Sequence, residues 1–481
     1  MVRGPTRAVA QRGEREMSTA APAFVARDST RGRMMLAGVT LGSGVAILDG
    51  SVVNVALRTM GRDLGASLAQ LQWVVNGYLL ALASLVLVGG ALGDRLGRRR
   101  VYLVGVAWFM VASALCALAQ TPTQLIALRV LQGVGAALLT PGALSLIQTS
   151  FRPQDRAPAI GTWAGLSGVA AAVGPVVGGW IVDHTTWRWI FAINVPLCLA
   201  VLWLTARSAP ESRGGSTGGR FDVLGAALTV LSLGGATYAL TAAAEASPAV
   251  VTTAWVVAVA SGVGFVLVER RTASPLVPLG LFGSRVFSAA NGMTLLVYGA
   301  LGGVSLFTVL QLQAAGWGAL EAGLSGLPIT LALLLLSSRT AALSARIGPR
   351  IPMTVGPLVC AAGALLLLLV AEEATWARVL PGMIVFALGL ALLVSPLTAA
   401  VLAAAPDRYA GAASGVNNAV ARAGSLLAVA ALPALVGLVG DDYLDPAAMT
   451  AGYRGAMLWC AALLTLGGVV SWFGLGRAAQ R

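Results

Sequence analysis

Gly90-Ala91-Leu92-Gly93-Asp94-Arg95-Leu96-Gly97-Arg98-Arg99-Arg100 packs three glycines, one acid and four arginines into a hinge between two long apolar runs. A connection this short has to turn tightly, which glycine permits, and arginines beside an apolar run hold their loop in the cytoplasm. Asp94 is then expected to face guanidinium groups and the positive end of a helix. Arginine collects in any short cytoplasmic loop, so the charge alone decides little; the spacing of the whole stretch carries the reading.

Composition agrees with a membrane hairpin. Hydrophobic residues make up 57% of the chain and charged residues 11%, with a mean hydropathy of +0.82, whereas a soluble globule carries roughly 25% charged residues. The chain reads as an all-α polytopic membrane protein. All 32 basic residues are arginine, which with abundant Ala, Gly and Val suggests a GC-rich bacterial genome. The net charge of +13 is scattered through loops and forms no stripe, so it reports topology and not nucleic-acid binding. Cys116, Cys198, Cys360 and Cys460 fall inside apolar runs without CxxC or Cys/His spacing, so neither a disulfide framework nor a metal site is indicated. His184 stands alone, in an expected external loop.

Apolar runs long enough to cross a ~30 Å hydrocarbon core number about fourteen. They lie near 34–57, 72–92, 101–119, 124–148, 158–182, 189–206, 222–244, 249–268, 286–311, 326–343, 352–371, 377–400, 412–438 and 455–475. An even number starting in the cytoplasm puts both termini inside. Arginine supports this: 24 fall on the expected cytoplasmic side, while Arg58, Arg62, Arg188, Arg378 and Arg454 fall outside. Arg129, Arg339 and Arg422 lie within or near the edges of spans. Residues 1–33 hold seven arginines and no apolar run, and read as a disordered cytoplasmic tail.

The chain also repeats. Ala341 to Arg350 follows Gly90 to Arg99 at an offset of 251, matching Leu92, Arg95, Gly97 and Arg99 but losing the acid, and Asp155-Arg156 recurs as Asp407-Arg408 at 252. Two six-helix bundles related as parallel repeats follow. Between them two further helices are inserted, after the glycine-rich linker Gly214 to Gly219. The expected layout is a tail at 1–33, a bundle at 34–207, a cytoplasmic linker at 208–221, inserted helices at 222–271, a cytoplasmic loop at 272–285, a second bundle at 286–475 and a tail at 476–481.

Asp49, in Leu48-Asp49-Gly50-Ser51-Val52-Val53-Asn54, is the one acid deep in a first-half span. Burying a carboxylate in the bilayer is expensive unless it is paired, neutralised or wet, and such residues mark ion or substrate paths. Arg129 precedes Gln132, Gly133, Ala137 and Thr140, small residues that let a neighbouring helix approach while the guanidinium biases a nearby carboxylate. Gly161, Gly165, Gly168, Ala172, Pro175 and Gly179 recur at helical spacing through Gly174-Pro175-Val176-Val177-Gly178-Gly179, a smooth stripe with a proline that leaves one carbonyl unpartnered. On these residues alone, a bonding role for Asp49, a snorkelling one for Arg129 and ordinary packing for the glycines remain open.

The 90–100 stretch resembles the loop between helices 2 and 3 of the major facilitator superfamily, and the other motifs are similar to its fourteen-helix drug:proton antiporters. Further matches are Gln72 to Tyr78, Trp187 to Pro196, Phe221-Asp222, Pro275 to Leu279 and Ala322 to Pro328. The resemblance implies the major facilitator fold. It assigns proton coupling to Asp49 and Arg129 and a cytoplasmic gate to Gly90, Asp94, Arg95, Gly97 and Arg98. It makes Gly165, Gly174, Pro175, Gly178 and Gly179 the antiporter motif of helix 5. The family has threonine or a similar residue near Gly50, and Ser425 and Ala428 replace family glycines around Arg422, which puts close packing there in doubt.

Spans 9 to 14 hold no deeply placed acid; relatives that export dications tend to place carboxylates there, so the resemblance implies neutral, monocationic or amphipathic substrates. Cavity candidates are Asn54, Trp73, Tyr78, Gln132, Gln311, Asn417 and Asn418, with Trp163, Phe191, Phe307 and Gln313 behind them. The resemblance thus implies a proton-coupled exporter of drugs, antibiotics or similar amphipathic molecules, or, by the same mechanism, of an endogenous metabolite, siderophore or lipid. It would sit in the cell membrane, work as a monomer with protons, substrate and bilayer as partners, and need no cofactor or nucleic acid. An enzyme is disfavoured by the single loop histidine and missing nucleophile motif, and ATP-driven pumping by the absence of a GxxxxGK[ST] loop.

Overall fold

The computed structural model describes residues 24–213, 222–243, 245–272, 275–371, 373–406 and 409–476. Fourteen helices are long and apolar enough to cross a membrane: α1 Thr30–Leu64, α2 Leu68–Leu96, α3 Arg98–Ala117, α4 Pro122–Ser150, α5 Pro153–His184, α6 Trp189–Ser208, α7 Val223–Thr241, α8 Pro248–Arg271, α9 Arg285–Ala314, α10 Ala319–Ile347, α11 Arg350–Ala371, α12 Trp376–Ala403, α13 Gly411–Leu435 and α14 Pro446–Gly474.

Their starts are written locally. Ser29 accepts from the Gly32 amide, Ser67 and Gln70 cap each other reciprocally, and Thr121 caps α4 with Pro122 in its first turn. Gly97 separates α2 from α3 at φ 111, and Gly348, its counterpart 251 residues on, separates α10 from α11 at φ 81. The sequence repeat is therefore a repeat of backbone geometry, at a conformation that residues with a Cβ avoid.

Helices α1–α6 form one bundle, with α4 packed on α2 and α3 and with α1 on α5 and α6. Helices α9–α14 form the other in the same way, α9 on α13 and α14, α12 on α10 and α11. The bundles meet along α2 with α13, α5 with α10, and α1 with α9. The inserted α7 and α8 pack on each other and touch only α2 and α13 among the more extensive neighbours. Only 22% and 17% of their apolar windows are buried, against 67% for α9, which places them at the periphery.

Several boundaries move outward from the expected ones. Helix α1 begins at Thr30 and carries Arg58 and Arg62 inside its last turns, where a loop was expected. Residues 24–29, assigned to a disordered tail, run against the first bundle: Val25 pairs with Phe151, and the Arg27 amide donates to Asp155 at 3.2 Å. A polar segment acquires order here because its backbone finds hydrogen-bond partners, which composition does not report. His184 ends α5 and stacks on Trp180 at 5.0 Å instead of lying in a loop. The linker Gly214 to Gly219 and the Asp407-Arg408 repeat lie outside the described residues.

Candidate functional site

Asp49 and Arg129 form a salt bridge at 2.5 Å, each 1% exposed. Four helices build it. Asp49 comes from the middle of α1, Arg129 and Gln132 from one face of α4, Ser113 from α3, and Asn194 from α6. Arg129 Nη1 also donates to Gln132 Oε1 at 2.6 Å, and its Nε donates to the Val74 carbonyl of α2 at 3.1 Å. The second carboxylate oxygen of Asp49 accepts from Gln132 Nε2 at 2.8 Å and Asn194 Nδ2 at 3.0 Å. Ser113 Oγ accepts from both amides, at 3.1 and 2.9 Å, and donates to the Phe191 carbonyl. The guanidinium lies 4.4 Å over the Tyr78 ring and 5.7 Å from that of Phe191.

Each side chain that faces Asp49 donates to it. Such an inventory suits an ionised carboxylate, because a carboxyl proton would find donors where it needs an acceptor. Small residues make the approach possible. A Cβ on Gly133 would lie 2.5 Å from the Tyr78 carbonyl, so the expected small-residue seam on α4 lets α2 close over Arg129.

The neighbour of Asp49 on the other side is open. A Cβ on Gly50 would meet nothing within 4 Å, and Asn54, one turn on, is partly exposed without a hydrogen-bond partner among the described residues. The buried pair is therefore not packed over on this side.

The two ends of the molecule differ. At the arginine-poor end the bundles are stitched together: Arg58 donates to the carbonyls of Gln313 and Leu444, Gln313 Nε2 to Val55 O at 2.7 Å, and Gln72 Nε2 to Val429 O at 2.6 Å. Tyr443 donates to Ala66 O at 2.8 Å, and the carboxylate of Asp183 accepts from the Ala319 and Leu320 amides at the start of α10, both at 2.8 Å. Every side-chain hydrogen bond between the bundles among the described residues lies at this end. Toward the arginine-rich end, Leu87 of α2 still reaches Gly415 of α13, but Gly161, Gly165 and Gly168 of α5 face empty space.

The glycine stripe of α5 is thus divided. Its far part is pressed on neighbours: a Cβ on Gly174 would collide with the Ser51 hydroxyl, one on Gly178 would lie 2.6 Å from Val52 Cγ1, and one on Gly179 would lie 2.7 Å from the Ala319 carbonyl across the bundle interface. Gly323 of α10 answers it, 2.5 Å from the Pro175 carbonyl by the same measure. Gly165 belongs to the open part.

Other expected residues are redistributed. Gln132 and Tyr78, expected to line a cavity, are buried around Arg129. Trp73 turns to Tyr238 of α7, 6.4 Å between rings. Gln311 is buried and bonds Thr450 at 3.0 Å, while Asn417 reaches Thr294 at 2.8 Å and Asn291 at 3.2 Å. Asn418 is exposed. Close packing at α13 survives the missing glycines, because Gly424 lies against the Leu295 carbonyl and Ser425 Oγ donates to Tyr298 O at 2.9 Å.

At the quoted loop, Asp94 pairs with Arg98 at 2.8 Å one helical turn on, and no side-chain hydrogen bond engages Arg95 among the described residues. The helix N-terminus expected to face Asp94 is taken by Glu211, whose oxygens accept from the Arg99 and Arg100 amides at 3.2 Å each. A Cβ on Gly97 would lie 2.7 Å from that carboxylate, so this glycine is needed for space as well as for φ. Gly90 sits 3.7 Å by the same measure from Pro141 of α4. Glu211, Ser113 and Asn194 were missed by sequence reasoning. Glu211 lies far along the chain in a charged segment, and Ser and Asn in apolar spans give no signal of what they face.

Two helical bundles around a cleft, with a buried ion pair beside it, define a membrane transporter. Residues 39–429 match the family model of the Major Facilitator Superfamily, and the chain belongs to that family. It is 34% identical over 421 residues to the tetracenomycin C resistance and export protein of Streptomyces glaucescens, covering 85% of this chain and 77% of that one. To the puromycin resistance protein of Streptomyces alboniger it is 36% identical over 452 residues, covering 89% and 88%. Among solved structures it resembles a bacterial homologue of the human lysosomal transporter Spinster in an inward-facing, unoccupied conformation, with a TM-score of 0.68, 17% identity and coverage of 93% and 97%. A D-xylose-proton symporter aligns with a TM-score of 0.65 at 15% identity, covering 92% and 97%. These two likenesses establish the fold, and the family is one of transporters and not of enzymes.

Proposed function

We propose that this chain is a proton-driven exporter of amphipathic small molecules, antibiotics among them, held here with its cleft open to the cytoplasm. The observation that carries the reading is the Asp49–Arg129 pair, sealed from water yet one residue from the open position of Gly50. The names of relatives concerned with resistance and export support the direction of transport. The distribution of arginine supports a cytoplasmic assignment for the open end, with both termini there, in a bacterial cell membrane, and the protein acting as a monomer on substrate and protons.

The network supplies the coupling. With Asp49 ionised, its two oxygens tie α1 to α4 and α6 through Arg129, Gln132 and Asn194. A proton on Asp49 turns one acceptor into a donor and cancels the charge that holds Arg129, so the three helices lose their common tie. Protonation and bundle packing are therefore linked, and a proton taken up from outside favours one access state while its release inside restores the other. Arg129 resets the cycle by drawing the carboxylate back once the proton leaves. Substrate enters beside Gly50 and Asn54 in the state described here and leaves when the gate at Arg58 and Gly179 opens.

The test is efflux in proteoliposomes with an imposed pH gradient. Drug movement against its gradient, collapsing when the pH gradient is dissipated and absent from Asp49→Asn, is the expected result. Efflux that ignores the pH gradient would remove the proposal.

A further inference from the structure

Arg422 lies in the middle of α13 and makes no hydrogen bond or ion pair among the described residues. Its place in the fold can be fixed by register. Gly415 meets Leu87 of α2, and the carbonyl of Val429 accepts from Gln72 of α2. Positions 415, 422 and 429 recur every seven residues and share one helical face, so Arg422 points to the α2 side, midway between two contacts. Ser425, three residues further along α13, donates to the Tyr298 carbonyl at 2.9 Å, which sets that turn of α9 against the turn that carries Arg422. The Tyr298 hydroxyl makes no hydrogen bond among the described residues, and Asn418, one turn before Arg422, is exposed.

A guanidinium at this depth has to find a counter-charge or water. Arg422 is only partly buried, and with the gap between the bundles read as the substrate path it is placed to meet what enters there. No acid there answers it. Asp49 is 1% exposed and already held by Arg129, and the described parts of α9 and α11–α14 contain no Asp or Glu. Glu321, in the first turn of α10, lies at the closed end, and Arg339 of α10 adds an exposed second cation without a partner among the described residues. Arg422 is thus left without a counter-charge among the described residues.

The geometry points to an anion-recognition subsite at Arg422, with the Tyr298 hydroxyl as a second donor, which takes the carboxylate or other ionised acidic group of an amphipathic substrate. This rests on the reading of the cleft as a substrate path, keeps the expected amphipathic substrate and departs from the expectation that it is neutral or monocationic. The planar guanidinium suits a carboxylate because it offers parallel donors.

The test is equilibrium binding to the full chain in nanodiscs, without any gradient, of 7-methoxycoumarin-3-carboxylate and its uncharged carboxamide. Wild type should bind the carboxylate at least about tenfold more tightly than the carboxamide. Arg422→Gln should erase that preference while leaving carboxamide binding within about twofold, and Arg422→Lys should keep part of it. Equal affinity of wild type for the two probes, or binding of neither, overturns the assignment without any variant. So does an equal loss for both probes in Arg422→Gln, which marks a structural role. Because no proton gradient enters the measurement, a carboxylate preference in a protein whose efflux proves independent of pH would sustain this subsite and remove the proton-driven reading.

Discussion

Replacing Asp49 by asparagine leaves Arg129 with its charge buried and unanswered, since no other acid reaches it among the described residues. The amide keeps one oxygen for the guanidinium. Its NH2 group, however, then meets both Gln132 Nε2 and Asn194 Nδ2, each of them a donor. Breaking one side of a buried pair typically costs about 3–5 kcal/mol. On the sequence alone this near-isosteric change would spare folding; the network predicts that it will not. Arg129→Gln should destabilise comparably, because it leaves the carboxylate uncompensated. The double variant Asp49→Asn/Arg129→Gln removes both charges and should recover about 1–3 kcal/mol of the summed loss. Thermal unfolding followed by tryptophan fluorescence in one lipid composition gives the comparison: wild type highest, and the double variant less destabilised than the sum of the two single losses. Proton-driven efflux should be absent from all three variants. Additive destabilisation, with the double variant losing the full sum of the two single losses, would show that the two residues do not act as a pair; efflux in Asp49→Asn would refute their coupling role.

Gly179→Leu or Gly323→Leu should wedge α5 from α10 at the arginine-poor end, at a typical overpacking cost of ~1–3 kcal/mol, enough to shift the access equilibrium about ten- to hundredfold. Labelling of an introduced cysteine in that gate, after removal of the four native thiols, should accelerate; unchanged labelling shows that this end is not a gate. Arg58→Gln removes the donor to two carbonyls across the bundles and should shift labelling in the same direction without touching the Asp49 network, which wild-type thermal stability in the first bundle would check. At the opposite end, Glu211→Ala uncovers the first amides of α3 and should destabilise the protein by about 0.5–2 kcal/mol, more than Asp94→Ala, whose carboxylate is exposed and bonds only its own neighbour Arg98. Equal unfolding temperatures for these two variants would contradict the capping role.

Much of the architecture was legible beforehand because the bilayer imposes it. A chain crossing hydrocarbon has to satisfy its backbone within each helix and keep its side chains apolar, so length and hydropathy report spans directly. The 251-residue offset announced two bundles, and Gly97 and Gly348 carry it into matched backbone turns. Asp49 and Arg129 were conspicuous for a similar reason: ions are so disfavoured in a span that each demands an explanation. Ser113, Asn194 and Glu211 were silent because polar but unremarkable residues become significant only through what they meet.

The sequence by itself determined the number of spans, the insertion between the repeats and the two charges at the centre, since these depend on local composition against a uniform solvent. Tertiary structure decided the rest. It paired Asp49 with Arg129, which lie 80 positions apart, buried Gln132, Tyr78 and Gln311, and left Arg422 without a hydrogen bond or ion pair among the described residues. It also split one stripe of glycines into a part packed on its neighbours and a part that faces empty space. These outcomes rest on which helices touch and at which end, and that is set by packing between bundles in one of two access states, a choice that no single span encodes.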